Sequence, residues 1–283
     1  MPHLKNCEQS IMKLLEDKIE KLKERKLSRL YFIHIPKTAG TFVRQSFDGH
    51  RMIAHANHAS FHKPASLSPG YIDVNCELDG ASNKAPDDCL VIATIRNPFD
   101  MLVSMYTYGS YGFTTSPPST VCTSRAPLHH NDYPGVPGGR ERFTYIIKEY
   151  CEGIRGRPDL RHMLFHQIFD DEGICKADIL IRTEFLEKGL VEIGKLLSPP
   201  LKPTLPEKRI NPSLRINRSS HHYKPYYDND LRKLVEKKCA IELEEFGYTF
   251  DGPVNDSPFV ILNKEFRFKI GDLSTNEINS EQI

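Results

Sequence analysis

Two patterns alternate along this chain: short unbroken apolar runs, and longer stretches in which apolar residues recur every three or four positions. Leu30-Tyr-Phe-Ile-His-Ile35, Cys89-Leu-Val-Ile-Ala-Thr-Ile95 and the Ile-Leu-Ile within Asp178–Arg182 have strand length. Runs of that length without polar alternation predict strands covered on both faces. Residues 8–27 place Ile11, Leu14, Leu15, Ile19 and Leu22 at helical spacing among Lys, Glu and Asp, which predicts an amphipathic helix. Further helices are predicted over Thr41–Phe47, 98–108, 141–152, 158–169, 184–197 and Asn229–Phe246. Asn97 can cap the second of these with Pro98 in its first turn, and Gly247 can close the last.

Residues 49–88 read as irregular, 109–140 as a long loop rich in Gly, Pro, Ser and Thr, and 198–222 as a polar, basic connection. A short strand is predicted at 259–262. Strands alternating with helices predict an α/β protein with a central, mainly parallel sheet flanked by helices in a single domain. The expected organisation is an N-terminal helix over 1–29, one domain over 30–252 and a C-terminal extension over 253–283.

Composition narrows the class of partner. The 283 residues are 39% hydrophobic and 27% charged, which is ordinary for a globular protein. The formal net charge is +1, so a broad surface for neutralising nucleic-acid phosphates is not expected, and any anion site must be local. The run KLKERK reads as the solvated face of the first helix. No stretch approaches the ~20 apolar residues of a membrane span, and MPHLKNCEQS lacks the apolar core of a secretory signal. The seven cysteines are scattered without a CxxC pair, which argues against a disulfide framework or a zinc knuckle. The expectation is a cytoplasmic protein with no membrane or nucleic-acid partner and no metal.

Two strand-to-helix junctions carry the candidate chemistry. The first is Pro36-Lys37-Thr38-Ala39-Gly40-Thr41. Small residues let backbone N–H groups approach an anion, the helix end adds positive charge, Lys37 supplies a point charge, and Thr38 and Thr41 supply hydroxyls. The order differs from GxxxxGK[ST], since Lys37 precedes the only glycine, and this demotes a nucleoside triphosphatase. An ordinary tight turn is the plain alternative. The second junction is Arg96-Asn97-Pro98-Phe99-Asp100, with Ser104 further along the helix. Arg96 would stand at the carboxyl end of a strand, where ligands bind in open α/β sheets, and its guanidinium matches a phosphate bidentately. The plain alternative pairs Arg96 with Asp100 and turns Ser104 into the core. Together the two junctions suit a ligand with two separated phosphate groups.

At these residues the sequence resembles a known superfamily. FIHIPKTAGTF is similar to the 5′-phosphosulfate loop of the sulfotransferases, and TIRNPFDMLVSMYTYG to their 3′-phosphate-binding strand and helix. The branch it resembles contains heparan sulfate 2-O-sulfotransferase and similar bacterial enzymes. DILIRTEFLEKGL and NRSSHHYKPYYDNDLRKLVEKKCAIELEEFGYTF are similar to later blocks of that branch, in order. The resemblance implies a P-loop-like sheet and sulfuryl transfer from 3′-phosphoadenosine-5′-phosphosulfate (PAPS), leaving PAP.

It further implies that Lys37 neutralises or protonates the leaving oxygen, and that Thr38, Ala39, Gly40 and Thr41 bind the 5′-phosphate. Arg96 and Ser104 would hold the 3′-phosphate, and Asn217 and Ser219 would line the donor cleft. His58, in NHASF, matches the family's GHxS segment and would be the general base, with Asn57 standing where the family has Gly. His50, His55 and His62 are weaker candidates, and His34 reads as a sheet-lining residue. Arg182 and Glu184 read as a structural ion pair. No anchor is read in the sequence and the chain is not strongly basic, whereas a long anionic sugar polymer would favour a basic groove, so a small-molecule acceptor such as a microbial natural product is expected. The rivals are a nucleotide-dependent kinase on the same fold and a non-catalytic PAP-binding homologue.

Overall fold

The computed structural model describes residues 16–35, 38–47, 52–56, 87–107, 139–151, 168–169, 173–206, 223–260 and 262. They fall into two compact units that interleave in sequence. One unit takes Met1–Ile95, Leu160–Glu207 and Ser257–Ile283; the other takes Arg96–Asp159 and Lys208–Asp256.

The first unit is a sheet with helices. A helix over 16–24 (α1) leads into β1, Arg29–His34, then α2, Gly40–Ser46, and β2, Met52–Ala56. β3 spans Cys89–Ile95 and β4 Ile179–Arg182, and α5 over Leu186–Lys195 follows a single 3-10 turn. The five-stranded sheet has the order β2-β1-β3-β4-β7, where β7 is Phe259–Val260. β2, β1, β3 and β4 run parallel, and β7 pairs antiparallel with β4. The protein is thus a mixed α/β structure with a mainly parallel sheet flanked by helices.

Burial explains the unbroken apolar runs. β3 is the middle strand, and six of its seven residues are buried. One face of the sheet carries Leu30, Phe32, Leu90, Ile92, Ile179 and Ile181, which join a core with Phe42 and Val43 of α2 and Leu186, Leu190 and Ile193 of α5. Gly189 lets α5 lie close to β4: a Cβ there would stand 2.6 Å from Ile181 Cγ2.

Two expectations need correction. The stretch 49–88 is not wholly irregular, because Met52–Ala56 is the edge strand β2. Five residues with a histidine at the fourth position carry no run long enough to read as a strand, and only pairing with β1 reveals it. The helix expected over Asn229–Phe246 is two helices, α6 (Asn229–Lys238) and α7 (Ala240–Glu245), broken at Cys239. The buried stripe Leu231, Val235, Cys239, Glu242, Phe246 runs through the break, so periodicity alone does not register it. Of the helix expected over 158–169 only 168–169 are described, and of the loop expected over 109–140 only 139–140, which begin α4 instead; the remainder of both lies outside the described residues.

The second unit contains α3 (Pro98–Thr107), α4 (Gly139–Cys151), α6 and α7, with a hairpin of β5 (Tyr248–Thr249) and β6 (Gly252–Pro253). Its core is aromatic. Phe99 meets Tyr227 and Phe250 edge-on, with centroids 5.2 and 4.9 Å apart, and Phe143 meets Tyr226 and Tyr227 at 5.0 and 5.3 Å. Such edge-to-face pairs add about 1 kcal/mol each beyond area burial.

Candidate functional site

β1 and β3 are adjacent and parallel, so their carboxyl ends open at the same edge of the sheet. Each is followed by one of the two candidate junctions. The first junction is visible from Thr38 onward; Pro36 and Lys37 lie outside the described residues.

Thr38 is fully buried. Its Oγ1 donates to the Ile35 carbonyl at 2.8 Å and lies 2.8 Å from Thr94 Oγ1 on β3. A hydroxyl has one proton to give. Thr38 directs its proton to Ile35, so Thr94 is the donor in the bond between the two threonines. The Thr38 hydroxyl, expected to face an anion, is engaged inside the loop, and it ties that loop to the neighbouring strand.

Ala39 follows with φ 64° and ψ 24°, the left-handed conformation that a residue with a Cβ seldom adopts. It precedes α2 and provides no side-chain cap. Gly40 is the buried first residue of α2, and Thr41, next to it, is exposed. Gly40 has a packing reason to be glycine. A Cβ there would stand 2.0 Å from Cδ2 and 2.1 Å from Nε2 of His34.

At the second junction Arg96 follows directly on Ile95, the last residue of β3. Its Nε donates to Asp100 Oδ2 at 2.6 Å, and both side chains are largely shielded from solvent. Asn97 caps α3 as expected: its Oδ1 accepts from the Phe99 N–H at 3.1 Å, and its Nδ2 donates to the Thr249 carbonyl at 2.7 Å. The Tyr227 hydroxyl donates to the Phe99 carbonyl at 2.9 Å. Asn97 and the aromatic cluster thus fix the first turn of the helix that Arg96 precedes. Ser104, further along α3, is buried. The Arg96–Asp100 pair and the inward Ser104 are the features that the plain alternative for this junction entails.

Several candidates are not described. Lys37, His58, Asn217 and Ser219 lie outside the described residues, as do His50 and His62. β2 ends at Ala56, shortly before His58, and His55 is placed on that strand by its backbone alone. Arg182 is buried at the end of β4, where its Nη1 donates to the Ser257 carbonyl at 2.8 Å and so fastens the chain entering β7. Among the described residues no group of three or more His, Cys, Asp or Glu side chains could hold a metal ion. Nor is any described helix long and apolar enough to cross a membrane.

Sequence reasoning did not single out Thr94, and it read His34 as sheet-lining without its approach to Gly40. Each was signalled by a polar side chain near the end of an otherwise apolar strand, a position that in a parallel sheet faces the ligand edge. In comparisons with known proteins, no family model, no curated protein and no solved structure matches this chain.

Proposed function

We propose that this protein is a sulfotransferase that moves a sulfuryl group from PAPS to a hydroxyl or amine of a small-molecule acceptor, on a P-loop-like sheet. The observation that carries the reading is the adjacency of β1 and β3: the PKTAGT loop and Arg96 follow the carboxyl ends of two neighbouring parallel strands. The resemblance of both segments to sulfotransferase phosphate loops supplies the chemistry.

In this reading the acceptor oxygen attacks sulfur in line as the bond from sulfur to the bridging oxygen breaks, and the bond's electron pair leaves with PAP. His58 takes the acceptor proton, which suits a group that titrates near neutrality. Lys37 offsets the charge that builds on the bridging oxygen. The loop from Thr38 to Thr41 holds the 5′-phosphate, and it does so through its backbone, since the Thr38 hydroxyl is engaged with Ile35 and Thr94. Arg96, oriented through Nε by Asp100, and Ser104 hold the 3′-phosphate. Asn217 and Ser219 complete the donor site. The catalysis is positioning and charge stabilisation, as in phosphoryl transfer.

The test is a thermal melt followed by an acceptor screen. PAP should raise the melting temperature without magnesium, and ATP with magnesium should not. Lys37→Ala should keep PAP binding and lose transfer. Stabilisation by ATP–magnesium with no response to PAP would instead support a phosphotransferase, and PAP binding without transfer to any acceptor would support a non-catalytic homologue.

A further inference from the structure

We propose that His34 is a positioning residue for the phosphate loop: its ring, wedged against Gly40, sets the path of the backbone that holds the 5′-phosphate. The inference rests on the sulfotransferase reading and adds a residue to its machinery.

His34 is the last residue of β1, and its side chain projects to the same face as Phe32, two positions earlier. The two rings stack with centroids 5.9 Å apart and planes 28° apart. Phe32 belongs to the core beneath α2 with Phe42 and Val43, so the His34 ring has firm support on that side. On the other side it meets the first residue of α2. A Cβ built on Gly40 would lie 2.0 Å from Cδ2, 2.1 Å from Nε2 and 3.0 Å from Cε1 of the ring. No real contact is that short, so the ring fills the space a side chain at position 40 would need.

The loop is therefore fixed at three successive points. Thr38 is bonded to Ile35 and Thr94, Ala39 is held at φ 64°, and Gly40 lies against His34. Strained backbone of this kind persists only where its surroundings over-determine it. The Thr38–Thr94 bond holds the loop to β3, and the His34 ring sets how closely the start of α2 approaches the end of β1. An anion held by backbone N–H groups is sensitive to that spacing, because such groups bind only when they converge.

The relationship is reciprocal, and the experiment uses this. PAP affinity and melting temperature are measured for the wild type, Gly40→Ala, His34→Ala and the double variant. Gly40→Ala should weaken PAP binding by about tenfold or more, because the ring and the new methyl group cannot share the space. His34→Ala should weaken it by about threefold to tenfold, by loosening the loop rather than removing a ligand. The double variant should bind PAP within about threefold of His34→Ala, because removing the ring makes room for the methyl group.

A double variant no better than Gly40→Ala, or a Gly40→Ala protein that binds PAP like the wild type, overturns the proposal. Restoration of melting temperature without restoration of PAP affinity also overturns it, since the contact would then be structural alone. If the wild type itself fails to bind PAP, the sulfotransferase reading fails and this role with it. The four melting temperatures then still decide whether His34 and Gly40 are coupled.

Discussion

Thr94 donates a hydrogen bond to Thr38 from the neighbouring strand, oxygen to oxygen at 2.8 Å, with both residues fully buried. It makes the loop after β1 depend on β3, the strand that runs into Arg96. Thr94→Val keeps the shape and removes the donor, leaving the Thr38 oxygen without it. The expected loss is about 1 kcal/mol of stability, read by urea unfolding, with PAP affinity falling several-fold. Thr94→Ser should retain both. Equal stability of the valine and serine variants would show that the bond contributes nothing.

Arg96 gives a test of the second loop. On the proposed reading it recognises the phosphate that PAP has and AMP lacks. Arg96→Ala should then lower PAP affinity by about a hundredfold and leave AMP binding unchanged. Arg96→Lys should recover little, because an ammonium lacks the planar fork that Asp100 holds through Nε. Equal losses for PAP and AMP in a calorimetric titration would contradict a 3′-phosphate role.

A pH dependence follows from the entry to β3. The Arg29 guanidinium, and after it the Ser28 hydroxyl, hold the Asp88 carboxyl at about 2, below its ordinary 3.8. A depressed carboxyl stabilises the folded state above pH 3.8, and the contribution is lost as the pH falls from there through about 2. Asp88 and Arg29 are both well exposed, so the effect is small, under about 1 kcal/mol at neutral pH. Asp88→Asn should be slightly less stable than the wild type at pH 6, and the gap should narrow as the pH falls from 3.8 through about 2. A gap that stays constant on acidification would remove Asp88 from the account.

Gly189 tests the packing of α5 on the sheet. Gly189→Ala would place a methyl group 2.6 Å from Ile181 Cγ2, in a core with little room to shift. Despite alanine's better helix propensity, we expect a net loss of about 1–3 kcal/mol in chemical denaturation, and partial recovery when Ile181→Val is added. A more stable alanine variant would show that the helix can move outward.

The C-terminal block shows how a resemblance and a structure divide the labour. Tyr223, Tyr227, Tyr248 and Phe250 all fall in the stretch 217–250, whose likeness to a family block is an expectation from sequence. Tyr223 bonds the Phe250 carbonyl, Tyr227 bonds the Phe99 carbonyl, and Tyr248 is buried in β5. Within the described residues these side chains pack the second unit and brace the start of α3.

The chain's own pattern determined the parallel strands β1, β3 and β4, helices that follow them and the cap at Asn97. Each of these depends on a local period or a local bond, and such signals are complete within a dozen residues. The tertiary structure decided the rest. β2 is a strand only because β1 offers it an edge. The Thr38 hydroxyl is engaged inward only because the Ile35 carbonyl accepts its proton and the Thr94 hydroxyl donates to it. Gly40 must be glycine because the ring of a residue six positions earlier fills the space a side chain would take. These facts arise where segments distant in sequence, or folded back on themselves, are brought together, and no local period encodes that contact.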